Sequence, residues 1–574
     1  GGAISIYLHN DLTLSSSEFS GNSAASHGGA IDLSNATVSI KDTNFIGNHA
    51  GSCGGAIFAG TEYTVLSISN SVFDGNYSIA AGGAVYILDH TADSTISGSV
   101  FRNNYVSENS DTDNVCGGAL RHGYSSESTL ATLGKLIITD SLFENNKVEN
   151  SGAGNTSGGA LMGTNYDISN TIFRSNSSKT YGGAISFVGA GSNTVDSSVF
   201  EANKAQYGAA IYNNATTLDI TNSTFNSNEA TYSGTICNAE NGVMNISDSY
   251  FVANITENSF GTITNRNATA NISNSIFENN EGVAGSAIYN SGTLNLITES
   301  GKVTKFSANK ASFYSTVNND GGILNITVAA GGTLIFENNT SSVGAAIGNY
   351  QKDGTSASLA MEKGSLVVFK GNKAESSGGA VLSYNSFDMA VQTMRFESNE
   401  AATGGAIFNQ GILTMSATGN LEFLGNKASN KGGAIYNSGT LSLTNAIFKD
   451  NTAQSGGAVY NNGVITISGS RFDSNIATGA EAAAIFNAQG ASAYLINTQF
   501  YNNSSASNNA SIWNGGDMYV IADNGISEFK DNDSDYAIAV LGTGKLYINA
   551  GNTGKVVFDD MIGSNAGGKI YINK

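Results

Sequence analysis

Three sets of residues in this chain have the types and spacing that chemistry needs. The first is a thiol beside imidazoles. All five histidines (His9, His27, His49, His90 and His122) fall in the first 122 residues, and His27 and Cys53 each stand directly before a Gly-Gly pair. At one strand spacing, ~5 Å, a Cys and a His make a nucleophile dyad or half of a metal site. The second is Asp531-Asn-Asp533-Ser-Asp535, which begins like a calcium loop but lacks its central glycine and closing glutamate. The third is a set of charges that follow a recurring phenylalanine: Arg102 and Arg174 in two copies, Asp74, Glu144, Glu201, Glu278, Glu337 and Asp473 in others. Paired carboxylates on one face would suit a glycoside hydrolase, and clustered carboxylates with an Arg or Lys base a polysaccharide lyase.

Each set also has a plainer reading. The slot before Gly-Gly holds Ala81, Ser157, Tyr181 or Lys431 elsewhere, so it tolerates most side chains. The acidic run reads as a solvated turn, and the alternating charges as a solvated edge. There is no Walker, HExxH or GxSxG motif. The expectation is no catalytic residue, no metal and no cofactor. Cys53 and Cys116 lie two repeats apart, roughly 9.6 Å, too far to bridge, so no disulfide is expected. Asn-x-Ser/Thr triplets at Asn35, Asn176, Asn222, Asn254 and Asn271 arise readily in so Asn- and Ser-rich a chain.

The elements that position these residues come from one repeat. Phe-x-x-Asn occurs 19 times between Phe19 and Phe529, at a mean spacing of about 28 residues, and Gly-Gly-Ala followed by Ile, Leu or Val occurs 11 times. Residues 423–451 hold one full period. Between the motifs the apolar residues alternate, as in Leu441-Ser-Leu443 and Val464-Ile-Thr-Ile467, which is the period of a strand with one buried face. A unit this short cannot bury a core alone, so neighbours must stack. The chain has no proline, where average usage would give roughly 29, as befits a fold in which nearly every strand is central. The fold class expected is all-β: a right-handed parallel β-helix, a solenoid of about 20 coils of roughly 28 residues. One domain over residues 1–574 is expected, a rod roughly 95 Å long, with residues 540–574 as atypical C-terminal coils. The asparagines of Phe-x-x-Asn, and Asn213, Asn290, Asn437 and Asn461 after the aliphatic, should stack as ladders.

The formal charge of −20 argues against nucleic acid as a partner. No apolar run is long enough to cross a bilayer, so membrane insertion of this segment is not expected. The chain opens on GGAI without Met or leader and closes on Lys574 without a barrel-like tail, so it reads as a piece of a longer or processed protein.

Insertions break the regularity in one place. The arcs from Phe101 to Leu120 and from Phe143 to Leu161 each gain several residues, and the arc between them carries RHGYSSESTLATLG. Insertions at the same turn of consecutive coils lie side by side and form a raised patch. Tyr105, Glu108, Asp111, Asp113, Arg121, His122 and Tyr124 are its candidate binding residues. A weaker bulge spans residues 288–369.

Alternating GGA[ILV] and FxxN motifs over residues 1–532 resemble the polymorphic outer membrane proteins of chlamydiae. Similar repeats also occur in surface proteins of other bacteria. The resemblance implies an autotransporter passenger: a β-helix exported through its own C-terminal barrel, displayed on the cell surface or outer membrane or secreted, and active in adhesion. The family's barrel and middle region lie outside this sequence. The leading expectation is a non-enzymatic adhesin whose partner is a host-cell surface or extracellular-matrix protein or glycan. A structural subunit that self-associates end to end is the alternative, and an extracellular polysaccharide-acting enzyme the third.

Overall fold

The computed structural model describes residues 1–61, 63–88, 90–108, 115–123, 133–189, 191–350, 356–479, 481–506, 510–564 and 567–573, with only the backbone at 8 and 9. It is a parallel β-solenoid, with no helix among the described residues. The chain divides into two compact units, Gly1–Val283 and Ala284–Lys574.

In the first unit one coil consists of strands Ile211–Asn214, Thr217–Thr221, Thr224–Asn226 and Glu229–Ser233. The first three pair in parallel with their counterparts one coil back and one coil on, residue for residue: Ile185 with Ile211 with Ile236, and Phe200 with Phe225 with Phe251. The fourth belongs to a second, narrower sheet. About three strands per coil are legible in the sequence. The fourth is often two residues long, as at Ser177–Ser178, too short to show a period. A coil of the second unit repeats the plan with Ile435–Asn437, Thr440–Thr444, Ala446–Lys449 and Thr452–Ala453.

Alternation sets the core. Leu218 and Ile220 are buried while Thr217, Asp219 and Thr221 between them are not, so one face of each strand lines the interior. The repeat phenylalanines stack in a column. From Phe19 to Phe277 neighbouring ring centroids are 4.5 Å (Phe73–Phe101) to 5.1 Å (Phe19–Phe45) apart. In the second unit the column runs from Phe306 to Phe558, at 4.5 Å (Phe448–Phe472) to 5.1 Å (Phe336–Phe369). Phe558 lies within residues 540–574 and has no Phe-x-x-Asn signature, yet it stacks on Phe529 at 4.9 Å.

The asparagine ladders form as expected. In Phe-x-x-Asn the Asn76 backbone N–H and side-chain Nδ2 both donate to Asn104 Oδ1, at 3.0 Å each, and Nδ2 also donates to Phe45 O at 2.9 Å. The same set recurs at Asn203 and Asn228 and, in the second unit, at Asn399 and Asn426. A second ladder runs Asn213–Asn238–Asn265 in the first unit and Asn409–Asn437–Asn461–Asn487 in the other. These asparagines are buried, and their amides bond to partners that neighbouring coils supply, except Asn409 Oδ1 at the start of its row, which has none. A third ladder has a sequence signal that is easy to pass over, a Ser or Thr two residues before most of the repeat phenylalanines, though not before Phe336, Phe369, Phe396, Phe423 or Phe448. Ser71 N donates to Ser99 Oγ and Ser198 N to Ser223 Oγ, both at 3.1 Å.

The Gly-Gly corner is steric. Gly82 has φ 62°, and a Cβ built on Gly83 would stand 2.0 Å from Gly118 O of the next coil. At Gly83 a side chain would have to push the two coils apart, although Ala209, Ala345 and Ala483 take the same slot in other coils.

Candidate functional site

The described strands on either side of the insertion pair from one long coil to the next. Tyr105–Glu108 pairs with Lys147–Asn150, and Val115–Cys116 with Thr156–Ser157. Val106, Val115 and Val148, on these flanking strands, pack together as a small buried apolar cluster. Tyr105 is half-buried and continues an outer stack, 5.0 Å from Tyr77, which lies 4.1 Å from His49. Lys147 Nζ stands 5.7 Å over the Tyr105 ring. Glu108 is half-buried, and its carbonyl accepts the Ser151 N–H at 3.1 Å. Asp111, Asp113 and Tyr124 lie outside the described residues.

Arg121 and His122 are placed differently: both are buried, at 8% and 1% exposure, on the strand Leu120–His122 after the Gly-Gly corner. The strand continues the core sheet, so its side chains are fixed by the coils on either side and not by the insertion before it. Arg121 Nη1 donates to Cys116 Sγ at 2.9 Å, and the guanidinium lies 5.2 Å over the Tyr86 ring. The structure thus brings Tyr105 and Glu108 together on the narrow sheet and Arg121 with His122 on the main one.

His122 occupies the position that Asn213 and Asn238 hold further on. Its Nδ1 donates to Thr164 O at 2.7 Å, and its Nε2 lies 2.8 Å from His90 Nε2. His90 Nδ1 donates in turn to Ala92 O. With both Nδ1 atoms committed as donors to carbonyls, the facing Nε2 atoms have room for at most one proton between them. Burial first, and the charge of His90 second, lower the His122 pKa to about 3. In the unfolded chain a histidine titrates near 6.5. Between pH 6.5 and about 3 the unfolded state therefore binds a proton that the folded state does not, and stability falls as pH falls through that window. From pH 7 to 4.5 this group should cost on the order of 2 kcal/mol. Urea unfolding followed against pH should show that slope, and His122→Asn should flatten it. An unchanged slope in the variant would remove His122 as its cause.

The Cys–His pair does not form a dyad. His27 and Cys53 are neighbours on adjacent coils, but the His27 ring stacks on Phe58 at 4.4 Å. Burial pushes the Cys53 and Cys116 thiols up, the opposite of what a nucleophile needs. All three cysteines are free. Arg102 reaches Asp74 at 2.9 Å, and Arg174 reaches Glu201 at 2.8 Å and Glu144 at 3.4 Å, so these charges link neighbouring coils across an exposed edge. In the acidic run, Asn532 closes the Phe-x-x-Asn ladder by accepting from Asn503, and the Asp533 backbone bridges to Ser504. Among the described residues no group of three or more His, Cys, Asp or Glu is placed to hold a metal ion. Asn176 and Asn254 of the glycosylation triplets are buried ladder members.

Beside Arg121 lies a cavity of about 280 Å³, which the sequence reading missed. Cys116, Arg121 and Met162 line one side of it, Tyr181 and Tyr212 the other, with Ser186 between. The two tyrosine rings are 4.6 Å apart. The signal was the residue after each GGA[ILV] motif, which runs Phe58, Tyr86, Arg121, Met162, Ser186, Tyr212 in successive coils.

The Chlamydia polymorphic membrane protein repeat matches this chain at residues 16–34, 42–60 and 420–438. No curated protein matches it. Among solved structures, a TibC-hyperglycosylated TibA fragment is 14% identical, with 67% of this chain and 98% of that one covered and a TM-score of 0.20. The PL6-family alginate lyase AlyGC is 10% identical over 99% and 100%, at 0.24. PfbA, a surface adhesin of Streptococcus pneumoniae, is 9% identical over 86% of each chain, at 0.12. These likenesses are too distant to inform function. No helix among the described residues is long and apolar enough to cross a membrane.

Proposed function

We infer that this chain, a β-solenoid carrying the Chlamydia polymorphic membrane protein repeat, is the adhesive passenger of a bacterial surface protein and works without catalysis. The repeat carries this reading. Two further observations support it. The chain departs from its period most strongly where two consecutive coils carry insertions between paired strands, and insertions in a solenoid are where binding residues are commonly displayed. The groups with the types for catalysis are otherwise engaged: the thiols are buried and shifted up, His27 is stacked, and exposed carboxylates pair with basic residues across coils. The partner is a host-cell surface or matrix protein or glycan. Tyr105, Glu108, Asp111, Asp113, Arg121, His122 and Tyr124 are the residues proposed to contribute to its site.

The test is incubation of the purified chain with matrix proteins and glycans, reading depletion and product release together. Binding without turnover is expected, at least tenfold weaker when residues 104–116 are shortened to the usual turn. Released oligosaccharide would make the chain an enzyme. Binding untouched by the shortening would take the insertion out of the site.

A further inference from the structure

In the second unit the residue that follows the corner aliphatic forms a row on the strand face opposite the core. Phe408, Tyr436, Tyr460, Phe486 and Trp513 pair in register from coil to coil, and Ala539 and Gly563 continue the row. The first four rings stack face to face, at 5.0, 5.4 and 4.6 Å, and Trp513 turns 72° against Phe486. Beyond Trp513 the row supplies no further ring, and a cavity of about 270 Å³ opens there, with Trp513, Ala539 and Gly563 in its wall. Tyr536, also in the wall, reaches over Gly563: a Cβ built on that glycine would stand 2.6 Å from Tyr536 Cε1. A slot one side chain wide is left over Ala539, between an indole on one side and a phenol on the other.

Glu481 completes the wall. It stands in the slot before the corner, from which Lys431 reaches the ring of the next coil, Tyr460, at 4.5 Å. Glu481, Trp513 and Tyr536 are all half-buried. Among the described residues the Glu481 carboxylate makes no hydrogen bond or ion pair, and the Trp513 indole N–H and the Tyr536 hydroxyl make no hydrogen bond, nor is any of the three closed off from solvent. No basic residue lines the cavity. A carboxylate can only accept and an indole N–H can only donate, so a ligand that answers both carries donors and acceptors together.

We propose that this cavity binds one neutral pyranose, as carried at the end of an uncharged glycan. Ring hydroxyls donate to Glu481, sugar oxygens accept from Trp513 Nε1 and the Tyr536 hydroxyl, and the C–H surface of the sugar lies against the aromatic side chains. Hydroxyl-to-carboxylate bonds are charge-assisted and strong. Aromatic side chains that join an apolar body to a polar tip suit a ligand with both kinds of surface. A volume just under the ~300 Å³ at which pockets for drug-sized ligands begin suits a single ring. An acidic sugar would meet Glu481 with no cation in the wall, in a chain of net charge −20. A quaternary ammonium ion would leave the indole and phenol donors unanswered. The proposal rests on the adhesin reading and adds to it a site, with its ligand class, in the second unit.

The test is calorimetric titration of the whole chain with methyl glucoside, methyl galactoside, methyl mannoside and N-acetylglucosamine, against glucuronate and choline. At least one neutral sugar should bind, and glucuronate and choline at least tenfold more weakly. Glu481→Gln keeps the size of the side chain and removes its charge, so affinity should fall about tenfold. Ala539→Phe is the second variant. It carries the row of Phe408, Tyr436, Tyr460 and Phe486 into the cavity with a side chain that position already holds in other coils, so the coil should fold and binding should be lost. No neutral sugar binding the native chain, glucuronate or choline binding as tightly, or either variant binding as the native chain does, would overturn the proposal. Matrix binding that persists without any neutral-sugar binding would sink this site and leave the adhesin reading standing. Neutral-sugar binding by a chain that captures no matrix protein or glycan would do the reverse.

Discussion

Asn203→Ala should cost the first unit about 2–6 kcal/mol, measured as a fall in the urea midpoint at constant slope. The native Asn203 amide accepts from Asn176 N at 2.9 Å and Asn176 Nδ2 at 3.1 Å, and donates to Phe173 O at 2.9 Å and Asn228 Oδ1 at 3.0 Å. Alanine strands at least two buried donors of Asn176, each costing about 1–3 kcal/mol when its partner is removed. Asn203→Asp tests the mechanism from the other side: it keeps an acceptor oxygen but removes the amide donor and places a carboxylate where nothing solvates it, so it should be no milder. Asn226→Ala, two residues before Asn203's counterpart Asn228, is half-buried and outside the ladder, and should stay within about 0.5 kcal/mol. Equal effects at Asn203 and Asn226 would show that the ladder contributes nothing beyond an ordinary surface amide.

Gly405→Ala in the second unit should also be damaging, for a different reason. A Cβ there would stand 2.0 Å from Gly433 O and 2.7 Å from Lys427 C, all backbone of the next coil. Backbone cannot rotate away as a side chain can, so this corner must shift toward the form it has where Ala209, Ala345 and Ala483 take the same slot, at a cost of about 1–3 kcal/mol, that of ordinary overpacking. Gly425→Ala separates this from conformational strain. Gly425 has φ 60°, but the nearest atom to its added Cβ is Ser398 Oγ at 3.8 Å, so only the left-handed penalty of about 1–2 kcal/mol applies. Limited proteolysis should cut the Gly405→Ala chain near its affected coils and spare Gly425→Ala. Matching protease patterns would mean that the corner can relax and that close approach is not what excludes a side chain.

The architecture was legible because one set of contacts is repeated. Phe, Asn and Gly-Gly recur in the sequence at the interval of a coil, and in the structure each meets its own kind one coil away, so periodicity and packing are the same information. What escaped was set between columns. That Arg121 faces Tyr181 and Tyr212 across a cavity depends on which outer residues lie beside the corner slot, and neither motif records that. His122 and Arg121 looked like patch residues because they follow an insertion, yet the strand they occupy is governed by its neighbours in the sheet. Tyr105 and Glu108 precede the insertion on the narrow sheet, where the register with Lys147–Asn150 leaves them at the surface.

The Phe-x-x-Asn ladder also has a direction. In the described rungs of each unit the amide carbonyl faces the preceding coil and the amide nitrogen the following one: Asn76 gives to Asn104, Asn176 to Asn203, Asn399 to Asn426. Strand dipoles in a sheet largely cancel, but these side-chain dipoles lie head to tail and add, as peptide dipoles do along a helix. Each rung polarises the next, so an interior amide is bound more strongly than one at either end of its row. Each unit is thereby an electrically polar object, with a carbonyl-terminated pole at its early coils and an amide-terminated pole at its late ones.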